Sequence, residues 1–190
     1  MNVFPLNAPV FLLLGFSTIA PAQSDWPTYG GNSASTRYST LTGINRSNVA
    51  QLKIAWTYDT GDAFPGSEMQ CQPIVVKGIL YATTPKLCLI ALNAATGKLR
   101  WQFDPNPDGK TIGKARNRGI TYWENGDDHR IFVVSRNFLH AVDAATGKPI
   151  ASFGNGGQVD LREGLGREVR NMTISATSPG IVYKDLLILG

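Results

Sequence analysis

The sequence predicts an all-β protein of the β-propeller type, and three observations carry that reading. The octapeptide Ala91-Leu-Asn-Ala-Ala-Thr-Gly-Lys98 returns fifty positions later as Ala141-Val-Asp-Ala-Ala-Thr-Gly-Lys148, and a period of that length marks stacked structural units. Each copy follows short apolar runs bounded by Gly, Pro and Asn, which is how strands joined by tight hairpins read. The composition is that of an ordinary globular β-protein, with 43% hydrophobic residues, 20 Gly, 11 Pro and only 17% charged residues. That balance excludes a disordered chain.

Residues 4–22 are apolar and end in Ala20-Pro-Ala22, a small-x-small site ahead of the polar Gln23-Ser24-Asp25, so that 1–22 read as one leader. This is the pattern of a secretory signal peptide, although it carries no Lys or Arg at its start. Its apolar core, 10–19, is shorter than the roughly twenty residues that a bilayer of about 30 Å demands. The expectation is an exported chain, periplasmic or secreted, with no transmembrane segment in its mature part.

Residues 52–56, Leu-Lys-Ile-Ala-Trp, match the 99–101 stretch Leu-Arg-Trp and read as the closing strand of another blade. The first whole blade has strands at 73–76, 79–82, 87–92 and 99–103, with turns at Lys77-Gly78 and Pro85-Lys86. Four strands make one blade. The second has strands at 120–123, 130–134, 138–142 and 149–153, with Asn125-Gly126 as a hairpin turn. A third begins at 179–182 and 186–189. Residues 23–190 therefore read as the N-terminal part of a propeller domain, about two and a half blades, because closure takes four to eight blades.

Trp56 and Trp101 hold the same place in their repeats, where an indole can dock over the adjacent blade's turn and serve packing. The second repeat has Ala151 at that place, which leaves Phe153 to fill the contact. Cys71 and Cys88 fall in strands two apart, about 9.6 Å from each other, beyond the Cα limit of about 7 Å for a disulfide. They are expected to be free and buried. Neither they nor His129 and His140 show metal-ligand spacing, so no metal site is assigned. Gly154-Asn-Gly-Gly157 follows a strand without a helix after it, which makes it a turn rather than a dinucleotide fingerprint. A net charge of +4 without a basic and aromatic stripe argues against nucleic acid as a partner.

Several blocks together resemble one family. They are Asp25-Trp-Pro-Thr-Tyr-Gly30 with Arg37-Tyr-Ser39, Leu52-Lys-Ile-Ala-Trp56 with Thr60-Gly61, the Ala-Thr-Gly-Lys repeats, Asn117-Arg-Gly119 with Tyr122-Trp123, and Phe153-Gly-Asn-Gly-Gly157. In this order they resemble the pyrroloquinoline-quinone (PQQ) dehydrogenases, and Asp160-Leu-Arg-Glu-Gly164 with Thr177-Ser-Pro179 resemble the glucose dehydrogenase branch. The resemblance implies an eight-bladed propeller with PQQ in a central funnel and a calcium ion beside it. It also implies oxidation of a sugar or alcohol hydroxyl, with ubiquinone or cytochrome c as electron acceptor.

By the same resemblance three residues are candidates for holding the cofactor. Arg118 in Asn-Arg-Gly would meet a quinone carboxylate with its planar fork. Gln70, three residues before Pro73, would sit at the quinone's edge, where an amide both donates and accepts. Thr177 would offer its hydroxyl. Relatives carry a histidine or adjacent cysteines where this chain has 114–117, Lys-Ala-Arg-Asn, which leaves the substrate open. The calcium ligands and the proton-abstracting carboxylate are expected beyond Gly190, so no catalytic residue is assigned. A cofactor-free propeller acting as a scaffold or assembly factor is the alternative, since fold does not fix function. Such a scaffold would need the tryptophans and turns but not an arginine aimed at the funnel.

Overall fold

The structure, a computed structural model, describes residues 25–108, 115–169 and 171–190. The expected signal peptide at 1–22 and the lysines Lys110 and Lys114 lie outside them. Ten strands form two four-stranded antiparallel meanders and one two-stranded sheet. The first meander holds β1 (Ile74–Val76), β2 (Ile79–Thr83), β3 (Leu89–Asn93) and β4 (Leu99–Phe103). The second holds β5 (Thr121–Asn125), β6 (Asp128–Ser135), β7 (Phe138–Asp143) and β8 (Gln158–Asp160). The third is β9 (Ile181–Tyr183) with β10 (Leu186–Ile188). Two blades and half of a third stand side by side, as the repeat requires.

Tight two-residue hairpins begin each sheet. Val76 pairs with Ile79 across Lys77 and Gly78, which have φ of 49° and 76°. Two residues at positive φ match the right-handed twist of the flanking strands. In the second blade Asn125 pairs with Asp128, so the turn falls on Gly126-Asp127, one residue later than the sequence suggests. Gly126, at φ 58°, takes the first central position, and Asn125 still belongs to the ladder.

The octapeptide forms the same turn twice. Asn93 Oδ1 accepts from the Thr96 N–H at 3.0 Å and Asp143 Oδ1 from the Thr146 N–H at 2.7 Å. Gly97 and Gly147 then close each turn by donating to the Asn93 and Asp143 carbonyls, both at 2.8 Å. Over these turns lie the two tryptophans. Trp56 Nε1 donates to Ala94 O and Trp101 Nε1 to Ala144 O, each at 3.1 Å. A Cβ on Gly97 or Gly147 would stand 2.6 Å from the indole above it. The glycines are thus required twice, by positive φ and by close approach.

Two sequence expectations need correction. Residues 52–56 form no strand, although Trp56 docks as expected; among the described residues nothing lies alongside them to complete a ladder. The outer strand of the second blade is Gln158–Asp160 and not 149–153. Pro149 makes a single bridge to Val142, and Ile150 donates to Ala141 O at 2.9 Å before the chain turns away. Gly154, Gly156 and Gly157, all at positive φ, bring it back. Gly157 O then accepts from Ala141 N–H at 2.9 Å and the ladder resumes.

Apolar faces of neighbouring blades make the core. Ile74, Val76, Tyr81, Leu89 and Ala91 pack with Ile120, Ile131, Val133 and Val142 between the first and second blades. Phe132, Val134 and Leu139 pack with Ala176, Leu187 and Leu189 between the second and third. Burying these side chains stabilises the stack by about 1.5–3 kcal/mol each, before chain entropy is counted. Cys71 and Cys88 are free and buried, and burial raises both thiol pKa values.

Candidate active site

The innermost strands of the three blades begin side by side. Gln72 N–H donates to Arg118 O at 3.0 Å, and Arg118 N–H donates to Thr177 O at 2.7 Å. A backbone link therefore runs across all three blades through Arg118, just before β1, β5 and β9. This arrangement comes from the fold, since every blade starts its first strand at the axis.

The N-terminal segment covers the same edge. Trp26 exchanges backbone hydrogen bonds with Val75, at 2.7 and 3.0 Å, and so adds one residue pair inside β1. Asp25 Oδ1 accepts from the Lys77 N–H at 3.0 Å, which anchors its start. Beyond Trp26, Tyr29 stacks under the Arg37 guanidinium, 5.2 Å from its ring centre. A Cβ on Gly119 would come within 3.1 Å of Pro179 and 3.3 Å of Tyr29. Glycine there lets the third blade and the Tyr29 segment close on the Arg118 strand.

Between these parts lies a cleft of about 610 Å³, walled by Thr28, Tyr29, Arg118, Thr121, Tyr122 and Ser178 among others. Arg118 is exposed on its wall. Among the described residues its guanidinium has no ion pair or hydrogen bond, and no carboxylate lines the cleft. Neighbouring Arg116, by contrast, is paired with Glu68 at 2.9 Å. A single unneutralised guanidinium among hydroxyls and aromatic rings attracts an anion, and a flat one best.

The three candidates are only partly brought together. Arg118 lines the cleft. Thr177 is joined to it through its backbone carbonyl, while the neighbouring Ser178 contributes to the wall in its place. Gln70 is exposed and two residues short of the Gln72 link, and it does not line the cleft. Sequence reasoning missed Ser178, which sits inside the Thr177-Ser-Pro179 block, and Tyr29, which sits inside the Asp25-to-Gly30 block. It also missed Asn117 and Thr83, which are buried polar residues behind Arg118.

Away from the cleft floor, Tyr122 Oη lies 2.7 Å from Glu124 Oε2 and 2.8 Å from His129 Nδ1. Burial, and then the hydrogen bond to Glu124, push the Tyr122 phenol pKa up. Tyr122 thus stays a neutral hydroxyl at any physiological pH. Among the described residues no three His, Cys, Asp or Glu side chains are grouped to hold a metal ion.

The cleft's donors suit PQQ, a flat quinone with three carboxylates, because Arg118 supplies a fork and Ser178 and Thr28 supply hydroxyls. Comparison with known proteins agrees. Residues 26–190 match the family model described as glucose/ethanol/alcohol dehydrogenase, beta-propeller domain, of the PQQ type. The chain is 34% identical over 193 residues to quinoprotein glucose dehydrogenase A of Acinetobacter calcoaceticus, covering 88% of this chain and 24% of that protein. It is 44% identical over 171 residues to the dehydrogenase subunit of the quinone alcohol dehydrogenase of Acetobacter aceti, covering 87% and 21%. The crystal structure of quinohemoprotein alcohol dehydrogenase from Comamonas testosteroni superposes with a TM-score of 0.69 at 31% identity, over 88% of this chain and 23% of that one. The chain thus spans about a quarter of the length of these relatives. Motifs, blades and relatives converge, and the chain belongs to the PQQ-dependent glucose and alcohol dehydrogenase family, within its β-propeller domain.

Proposed function

We propose that residues 23–190 are the N-terminal part of a quinoprotein dehydrogenase that oxidises a sugar or alcohol hydroxyl. In this reading the leader at 1–22 exports it to the periplasm, and ubiquinone or cytochrome c takes the electrons. The observation that carries the proposal is Arg118, whose peptide is fixed on both sides while, among the described residues, its guanidinium stands unpaired on a cleft without carboxylates. A scaffold has no use for such a residue. When bound, PQQ supplies the two-electron acceptor that the chain's own side chains lack.

The residues present bind and orient. Arg118 would hold a cofactor carboxylate with its guanidinium, and Ser178 and Thr28 would offer hydroxyl donors to it. Tyr29 and Tyr122 give the cleft apolar walls that exclude water and so strengthen those bonds. Calcium enters the reading through the family resemblance, and no described residue is assigned to it.

The test is titration of the full-length apoprotein with PQQ, followed by tryptophan fluorescence and by dye-linked oxidation of glucose and ethanol. Arg118→Lys keeps the charge but not the fork, and Arg118→Ala keeps neither, so affinity should fall in that order. A charge-assisted hydrogen bond contributes about 1.5–3 kcal/mol, so the alanine variant should bind roughly ten- to a hundredfold more weakly. Equal half-saturation in all three proteins would remove Arg118 from the site and restore the scaffold reading.

A further inference from the structure

Arg118 is held by its backbone from two blades, yet the bonds from Gln72 and to Thr177 use only its own N–H and C=O. They set where the residue sits along the strand edge. What shapes the peptide on either side is Asn117. Its Oδ1 accepts from the Gly119 N–H at 3.0 Å, a side-chain turn that brackets Arg118. The same oxygen receives Thr83 Oγ1 at 3.4 Å, from the end of β2 in the preceding blade. Asn117 and Thr83 are 4% and 1% exposed, so water does not compete for these bonds. Thr83 is fixed in turn, since its N–H donates to Cys71 Sγ at 3.3 Å. Cys71 belongs to the residues that lead into β1.

We infer that Asn117 is a positioning residue for Arg118, locked from the first blade by Thr83, so that the guanidinium's direction is set by an interblade latch. The inference rests on the proposed role of Arg118. Asn117 touches no cleft space itself, being absent from the cleft wall. Its whole effect on an anion must pass through the Arg118 peptide. The physical reason is preorganisation: a long side chain loses less freedom on binding when its Cα and flanking torsions are already fixed. Asparagine suits the task because its short amide reaches the N–H two residues on, and its second lone pair remains for Thr83.

The experiment is a double-mutant cycle in the full-length protein, with PQQ affinity of the apoprotein read by fluorescence titration and the melting temperature recorded beside it. Asn117→Ala should weaken PQQ binding about tenfold in the native background and leave it unchanged in the Arg118→Ala background. Thr83→Val keeps the shape but removes the hydroxyl, and should weaken binding about threefold, again only when Arg118 is present. Asn117→Asp keeps the acceptor and should rescue most of the loss. A general structural defect would lower affinity equally in both backgrounds, and that result would overturn the inference. So would native-like affinity in Asn117→Ala while Arg118→Ala binds weakly. If Arg118→Ala itself binds normally, the reading of the cleft fails instead.

Discussion

The Asn93 turn leads into a five-residue outer strand, Leu99–Phe103, whereas the Asp143 turn, built from the same hydrogen bonds, leads to one bridge at Pro149 and then a loop. The ladder returns only at Gln158–Asp160. The octapeptide therefore does not decide the course of the chain after it. Two differences do. In the first blade Trp101 pairs with Ala91 and reaches across to the second blade's turn, so the outer strand is held at both its edge and its side chain. In the second, Ala151 has nothing to dock, Pro149 fixes its own φ, and Phe153 turns inward to meet Phe132 edge-on at 5.4 Å. In the two whole blades a docked tryptophan accompanies the continuous outer strand, and its absence accompanies the loop.

The largest expected effect comes from breaking that dock. Ala144 O accepts from both Trp101 Nε1 and Tyr81 Oη, each at 3.1 Å, so the indole closes a buried corner between blades. Trp101→Ala should cost about 3–4 kcal/mol of unfolding free energy in the full-length protein, at the low end for a tryptophan because the ring is only half-buried. Gly147→Ala should cost about 2–3 kcal/mol, from left-handed strain and the indole 2.6 Å away. In the Trp101→Ala background the same glycine change should cost only the strain, about 1–2 kcal/mol. Urea denaturation of the four proteins measures this. Fully additive costs would mean that indole and glycine do not form one contact.

A second contrast lies at equivalent places in the third strands. The first blade has Ile90, and the second has His140, since Ala91 and Ala141 correspond in the octapeptide. His140 is buried between Phe103 and Phe138, its Nε2 has no hydrogen-bond partner among the described residues, and burial lowers its pKa to about 4. In the unfolded chain the value returns to the ordinary 6.5. Below pH 6.5 the unfolded state thus takes up a proton that the folded state refuses. Stability is complete above 6.5 and falls as pH drops toward 4. At pH 5 the loss is about 2 kcal/mol, from about 1.36 kcal/mol per unit. His140→Ile, which copies the first blade, should abolish this share of the acid loss. Parallel slopes for both proteins between pH 7 and 5 would show that His140 does not carry it.

These contrasts also show what the sequence makes legible. Hairpin positions to within a residue, the first three strands of the two whole blades and the tryptophan dock could be read, because local turn chemistry and repeated spacing fix them. The outer strand of the second blade could not, because it depends on where a chain with Pro149 and three positive-φ glycines finds its way back to β7. Arg118, which lies on the cleft wall, was singled out through its Asn-Arg-Gly block. Ser178, Tyr29 and the Thr83–Asn117 pair were not, since each gains its meaning from a neighbour more than thirty residues away in sequence. Gln70 was suggested by the family resemblance, but the structure leaves it exposed and off the cleft wall, since a place in a motif says little about the side of a cleft on which a residue falls.

The smallest expected effect is the most direct probe of register. Although Trp101 docks the outer strand of the first blade, placing a tryptophan at 151 should not restore the strand of the second. Residues 150–153 already form a turn, closed by Phe153 N–H on Ile150 O at 2.8 Å, and Ala151 is exposed. Pro149 costs the ladder no bond, because it faces Val142 in a pair framed by Asp143 N–H on Lys148 O and Ile150 N–H on Ala141 O, but its ring fixes φ. Ala151→Trp therefore adds an exposed indole without a slot, and its effect on unfolding free energy should stay within about 0.5 kcal/mol. Pairing it with Pro149→Leu, which frees φ and copies Leu99, separates the two causes. A gain above about 1 kcal/mol in the double variant alone would assign the lost strand to the proline. A gain from Ala151→Trp by itself would show that the second blade keeps a docking slot after all, and that the tryptophan is sufficient to set the register.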